Sequence, residues 1–82
     1  MSMGEELIIA YVLLIVSVGE EDEVSHAIKN LEGVKEVFNT YGSWDMIIRV
    51  EVNDIKDLDK VVTSIRKVSG VEYTETLICT KK

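Results

Sequence analysis

Between Leu7 and Val18 ten of twelve residues are aliphatic, with no polar residue at helical spacing. Its β-branched content (Ile8, Ile9, Val12, Ile15, Val16, Val18) predicts a strand. The alternate positions, Tyr11, Leu13 and Ile15 against Ala10, Val12, Leu14 and Val16, are apolar on both faces. A strand with one wet side would alternate apolar with polar, so this one is central and covered on each side. Helices can supply one cover, and another subunit is expected to supply the other.

Gly19 ends the strand, and Glu20-Glu21-Asp22-Glu23 places negative charge where a helix N-terminus favours it. Val24, Ala27, Ile28 and Leu31 fall at helical spacing, which leaves His26, Lys29 and Asn30 on the solvated side, and Gly33 is expected as the C-cap. A second strand follows over Val34 to Thr40 and a third over Met46 to Val52. Asn53 or Asp54 then caps a second helix with apolar positions Ile55, Leu58, Val62, Ile65 and Val68, closed by Gly70. The last strand runs from Val71 to Thr80, with Thr74, Thr76, Ile78 and Thr80 on one face and Tyr73, Leu77 and Cys79 on the other.

Val24, Ile28, Gly33 and Val34 recur 37 residues later as Val61, Ile65, Gly70 and Val71, so the chain is strand-helix-strand twice over. Two such units in series predict an α+β, ferredoxin-like βαββαβ sandwich: a four-stranded antiparallel sheet with both helices on one face and the first and third strands central. The other face would stay bare and apolar, and dimerisation sheet against sheet, as a dimeric α+β barrel, is the economical way to cover it.

Between the second and third strands, Tyr41-Gly42-Ser43-Trp44-Asp45 reads as a hairpin turn. Gly42 permits positive φ and close approach to backbone N–H donors, which suit a carboxylate; Asp45, an acceptor-only group, suits an ammonium. Together they would fit an amino-acid zwitterion, and Asp45 would be dispensable for the fold. The competing reading makes Asp45 a turn former bonded to its own backbone, with Trp44 capping an apolar edge.

Composition narrows the function. Eighty-two residues, 46% of them hydrophobic and none proline, make one domain, 1–82, for which oligomerisation adds useful buried surface. A formal charge of −6, with only Arg66-Lys67 and Lys81-Lys82 as basic pairs, disfavours direct DNA binding. The start, with Glu5 and Glu6 before the apolar run, lacks a signal peptide's basic flank, and the run is too short to span a bilayer, so a cytoplasmic protein without membrane attachment is expected. With one cysteine and one histidine, neither an internal disulfide nor a His/Cys zinc site is available, so no metal, cofactor or catalytic residue is assigned. Glu20 to Glu23 reads as a solvated cap and Cys79 as a core or interface thiol.

Ala10-Tyr11-Val12-Leu13, Leu31-Glu32-Gly33-Val34 and Tyr41-Gly42-Ser43-Trp44-Asp45-Met46-Ile47-Ile48-Arg49-Val50, with Ile65 to Val71 and Thr74-Glu75-Thr76, make the chain similar to a known module. It resembles, over roughly Ala10 to Thr80, the effector-binding (regulation of amino-acid metabolism, RAM) domain of Lrp/AsnC transcription regulators. The resemblance implies binding of a free amino acid between subunits of an oligomer built from dimers. The effector would lie near Tyr41, Gly42, Ser43, Trp44 and Asp45, with further contacts around Thr74, Thr76 and Leu77. No basic helix-turn-helix segment precedes the first strand, so the chain resembles the stand-alone form of the domain, whose partners include full-length regulators through co-assembly. Trp44 is bulkier than such a turn usually carries. The alternatives are a small dimeric α+β-barrel enzyme of oxygenase or isomerase type, which would need a general acid or base in a pocket, and a scaffold with an empty site.

Overall fold

The computed structural model describes residues 7–80; Glu5, Glu6, Lys81 and Lys82, noted above for their charge, lie outside them. The elements run β1 (Ile8–Val16), α1 (Glu21–Lys29), β2 (Val34–Asn39), β3 (Met46–Val52), α2 (Ile55–Arg66) and β4 (Val71–Cys79). The sheet order is β2-β3-β1-β4, antiparallel throughout, with the two-sided apolar strand β1 in the middle as its pattern requires. Among the described residues no helix is long and apolar enough to cross a membrane.

Ala10, Val12, Leu14 and Val16 of β1 and Met46, Ile48, Val50 and Val52 of β3 form the floor of the core. Val24 and Ile28 of α1 and Leu58, Val61 and Ile65 of α2 close it from above. Glu21, Asp22 and Glu23 occupy the first turn of α1, where the helix dipole favours them. Asp54 is the N-cap of α2, its side chain accepting the Asp57 N–H at 3.0 Å.

Several expectations are corrected. On α2 the buried valine is Val61, while Val62 is half-buried and Ile55, in the first turn, is 57% exposed. Helix α1 ends at Lys29, so Leu31 packs on the core from the following loop, Ala27 is exposed, and Gly33 (φ +94°) lies beyond the C-cap Asn30. β1 stops at Val16, leaving Val18 96% exposed in the turn.

The face opposite the helices carries Ile9, Tyr11, Leu13 and Ile15 of β1, flanked by Ile47, Arg49 and Glu51 of β3, because residues paired across an antiparallel ladder share a face. Phe38 at one edge and Tyr73 and Leu77 at the other extend it, and all three are exposed. Cys79, opposite Ile9, lies on this face as well; it is an exposed free thiol rather than a core residue.

Candidate functional site

The connection from β2 to β3 is closed by the Thr40 N–H donating to the Asp45 carbonyl (2.9 Å) and the Thr40 hydroxyl to the Trp44 carbonyl (2.6 Å). These bonds hold a four-residue loop whose outer members, Tyr41, Gly42 and Ser43, are exposed, with Trp44 half-buried at its base. Gly42 has φ +134° with no heavy atom within 4 Å of where a Cβ would stand, so glycine serves the backbone conformation and leaves the surrounding space open.

Asp45 does what neither sequence reading foresaw. Its N–H donates to the Leu14 carbonyl (2.8 Å), and its Oδ2 accepts the Val16 N–H (2.8 Å). The β1–β3 ladder ends at the Leu14–Met46 pair, and the carboxylate extends it by one rung where β3 has already turned away. On its other edge β1 slips register against β4 between Ile15 and Val16, so Asp45 steadies the strand where its pairing is irregular. The bond reaches a neighbouring strand instead of the turn's own backbone. It also overturns the expectation that Asp45 is dispensable for the fold, since a part-buried N–H loses its acceptor without it.

The β4 members fall on two faces. Thr74 and Thr76, half-buried, pair with Leu14 and Val12 on the helix side, while Leu77 pairs with Tyr11 on the bare side. Thr74 is joined to the turn through Leu14, the residue whose carbonyl binds Asp45, yet β1 separates them by two strand spacings, roughly 10 Å. Within one chain, therefore, the turn residues form one group and the β4 residues another.

Two features escaped the sequence reading. An open cleft of about 460 Å³ lies between the α1–β2 loop, the end of β3 and α2, with Glu32, Lys35, Asn53, Asp57 and Lys60 on its walls. It sits at the opposite end of β3 from the turn, roughly 20 Å away by strand rise. The second is a polar cluster on the bare face. Arg49 Nε and Nη2 reach Glu51 Oε2 at 2.9 and 2.8 Å, Nη1 donates to the Tyr11 hydroxyl at 3.0 Å, and the guanidinium carbon stands 5.9 Å from the Tyr11 ring centroid. The bond to Glu51, then that to Tyr11, raises the Arg49 pKa above its ordinary value and holds it charged. Arg49 and Glu51 share a face by strand alternation, and Tyr11 joins them only through the β1–β3 register. Among the described residues no group of three or more His, Cys, Asp and Glu side chains is placed to hold a metal ion.

Residues 9–82 match the model of the Lrp/AsnC ligand binding domain. A homocitrate synthase of Sulfolobus acidocaldarius is 39% identical over 59 residues, 72% of this chain and 13% of the synthase. The HTH-type transcriptional regulator FL11 of Pyrococcus furiosus is 28% identical over 74 residues, 90% of this chain and 49% of the regulator. The chain thus spans about half the length of that regulator and a small part of the synthase. The crystal structure of TTHA0845 from Thermus thermophilus superposes with a TM-score of 0.86 at 36% identity, covering 92% of this chain and 95% of that one.

Proposed function

The chain belongs to the Lrp/AsnC ligand-binding-domain family, and from that premise we propose that it is an amino-acid-binding regulatory module that works as a dimer or larger assembly. The observation that carries the reading is the turn 41–45, which combines an open, glycine-centred loop with a carboxylate seated at its base. Exposed N–H groups around Gly42 and Ser43 would take the ligand's carboxylate, and Asp45, bonded to Val16 through Oδ2, would offer its ammonium the other oxygen. Within one copy β1 stands between the turn and Thr74, Thr76 and Leu77, so these would join such a site only from another copy: Leu77 across the bare face, and Thr74 and Thr76, on the helix side, from a further copy in a larger assembly.

The second copy follows from the bare face. Four strands about 4.8 Å apart, six to nine residues long, make a face of roughly 500 Å² in projection, larger in accessible area and of the same order as the roughly 800 Å² that each partner gives an ordinary interface. A patch of that size rich in Ile, Leu, Phe and Tyr is uncommon on a monomer.

The synthase match favours a second reading of the output. A domain of this kind makes up a small part of an enzyme there, so the module would set the activity of a metabolic enzyme instead of a DNA-binding regulator. Family membership supports a regulatory domain over a small barrel enzyme. Thermal melts against the twenty amino acids test the ligand reading: an amino acid that binds only the native assembly, at a hundred times its Kd, stabilises it by about 2.7 kcal/mol. No shift with any of them, matched by no heat in calorimetry, would refute it.

A further inference from the structure

Tyr11 and Arg49 are the middle pair of the seven-rung β1–β3 ladder that runs from Ile8–Val52 to Leu14–Met46. The polar cluster therefore stands at the centre of the bare face, between Leu13 and Ile47 on one side and Ile9 on the other. Interface centres are normally depleted of charge, because both ions must be desolvated and each needs its hydrogen bonds kept. Arg49 arrives with its charge answered by Glu51 and Tyr11, so the cluster can enter an interface without leaving a bare ion. It still gains nothing in strength over an apolar residue of the same size, and its worth there is selectivity.

We propose that Arg49 and Glu51 choose the partner: each guanidinium, at the middle of the face, meets the Glu51 carboxylate of a second copy as well as its own. This rests on the sheet-to-sheet dimer proposed above. A two-fold interface presents the same patch twice, and with its axis crossing the strands between Arg49 and Glu51 each residue of the pair faces the other residue's counterpart. An Arg–Glu pair laid along the strand is matched by the same pair running antiparallel, which sets four charges in alternation. A related domain with an apolar or differently ordered pair at these positions would leave like charges facing or an ion unmatched, and would be rejected. The occupant that fits is a second copy of this chain.

The test reverses the pair in place. Arg49→Glu/Glu51→Arg and the wild type, one of them mass-labelled, are mixed to equilibrium and the dimers counted by native mass spectrometry. Each protein alone forms homodimers, and the mixed dimer falls about tenfold or more below random pairing, since juxtaposed like charges cost several kcal/mol. Mixed dimers at half of the total would overturn the proposal and leave the dimer standing; two proteins that are both monomeric would overturn the dimer and the proposal with it. Should the reversed protein fail to fold, Arg49→Glu and Glu51→Arg made singly carry the test. Each then pairs poorly with itself and the two pair preferentially with each other, and indifference between the pairings would refute partner choice.

Discussion

A Cβ on Gly33 would stand 2.9 Å from Cγ2 of Val61, and at φ +94° the backbone there already lies where glycine is favoured. Gly70 has the same relation to Val24, also at 2.9 Å, so each half of the 37-residue repeat lays its glycine against the other half's valine. Gly33→Ala is expected to cost about 1–3 kcal/mol through overpacking and backbone strain together. Gly19→Ala, at φ +88° with open space around it, isolates the backbone part and should cost less. Urea melts of the two variants compare them directly, and equal losses would show that the valine contact is slack.

Substitutions can separate the bond that Asp45 makes to Val16 from the ligand contact proposed for it. Asp45→Ala strands the Val16 N–H and should lower stability by about 1–3 kcal/mol. Asp45→Asn keeps an acceptor oxygen for that N–H and should melt close to the wild type, yet lose roughly tenfold to a hundredfold in amino-acid affinity with the charge-assisted bond. Calorimetry on the asparagine variant decides: unchanged affinity would reduce Asp45 to a rung of the ladder.

Leu13 and Ile47 are paired on the bare face, two rungs from the central Tyr11–Arg49 pair. Leu13→Asp leaves the helix-side core untouched and should yield a folded monomer in sedimentation at micromolar concentration. A dimer that persists would mean that the interface lies elsewhere.

The Asp54 cap of α2 offers a smaller, local test. Asp54→Ala should cost about 1 kcal/mol, from the lost bond to the Asp57 N–H, with no change in assembly state. A denaturant midpoint identical to that of the wild type would mean that solvent satisfies this N–H equally well.

The fold was legible because its strongest signals are local or periodic. β1's aliphatic run on both faces put it in the middle of the sheet, and the alternation of Thr74, Thr76 and Ile78 with Tyr73 and Leu77 assigned β4's faces correctly. Adjacent valines defeated the same reasoning on α2: Val61 and Val62 differ by only about 100° around the helix, and packing against Gly33 picks the first. The Asp45–Val16 bond and the Tyr11–Arg49 contact were out of reach, since both depend on the register between β1 and β3, which no local pattern states. Gly33 was recognisable as a punctuation mark, whereas its reason, a valine 28 residues away, was not.

Ile9, near the start of β1, pairs with Cys79 at the end of β4. The polypeptide enters and leaves the sheet at neighbouring points, one strand spacing apart. A host protein can accordingly carry this unit as a side branch: two short linkers suffice, and neither has to cross the bare face or the 41–45 turn. Such a plug-in geometry suits a unit whose sequence matches one part of an HTH-type transcriptional regulator and one part of a homocitrate synthase.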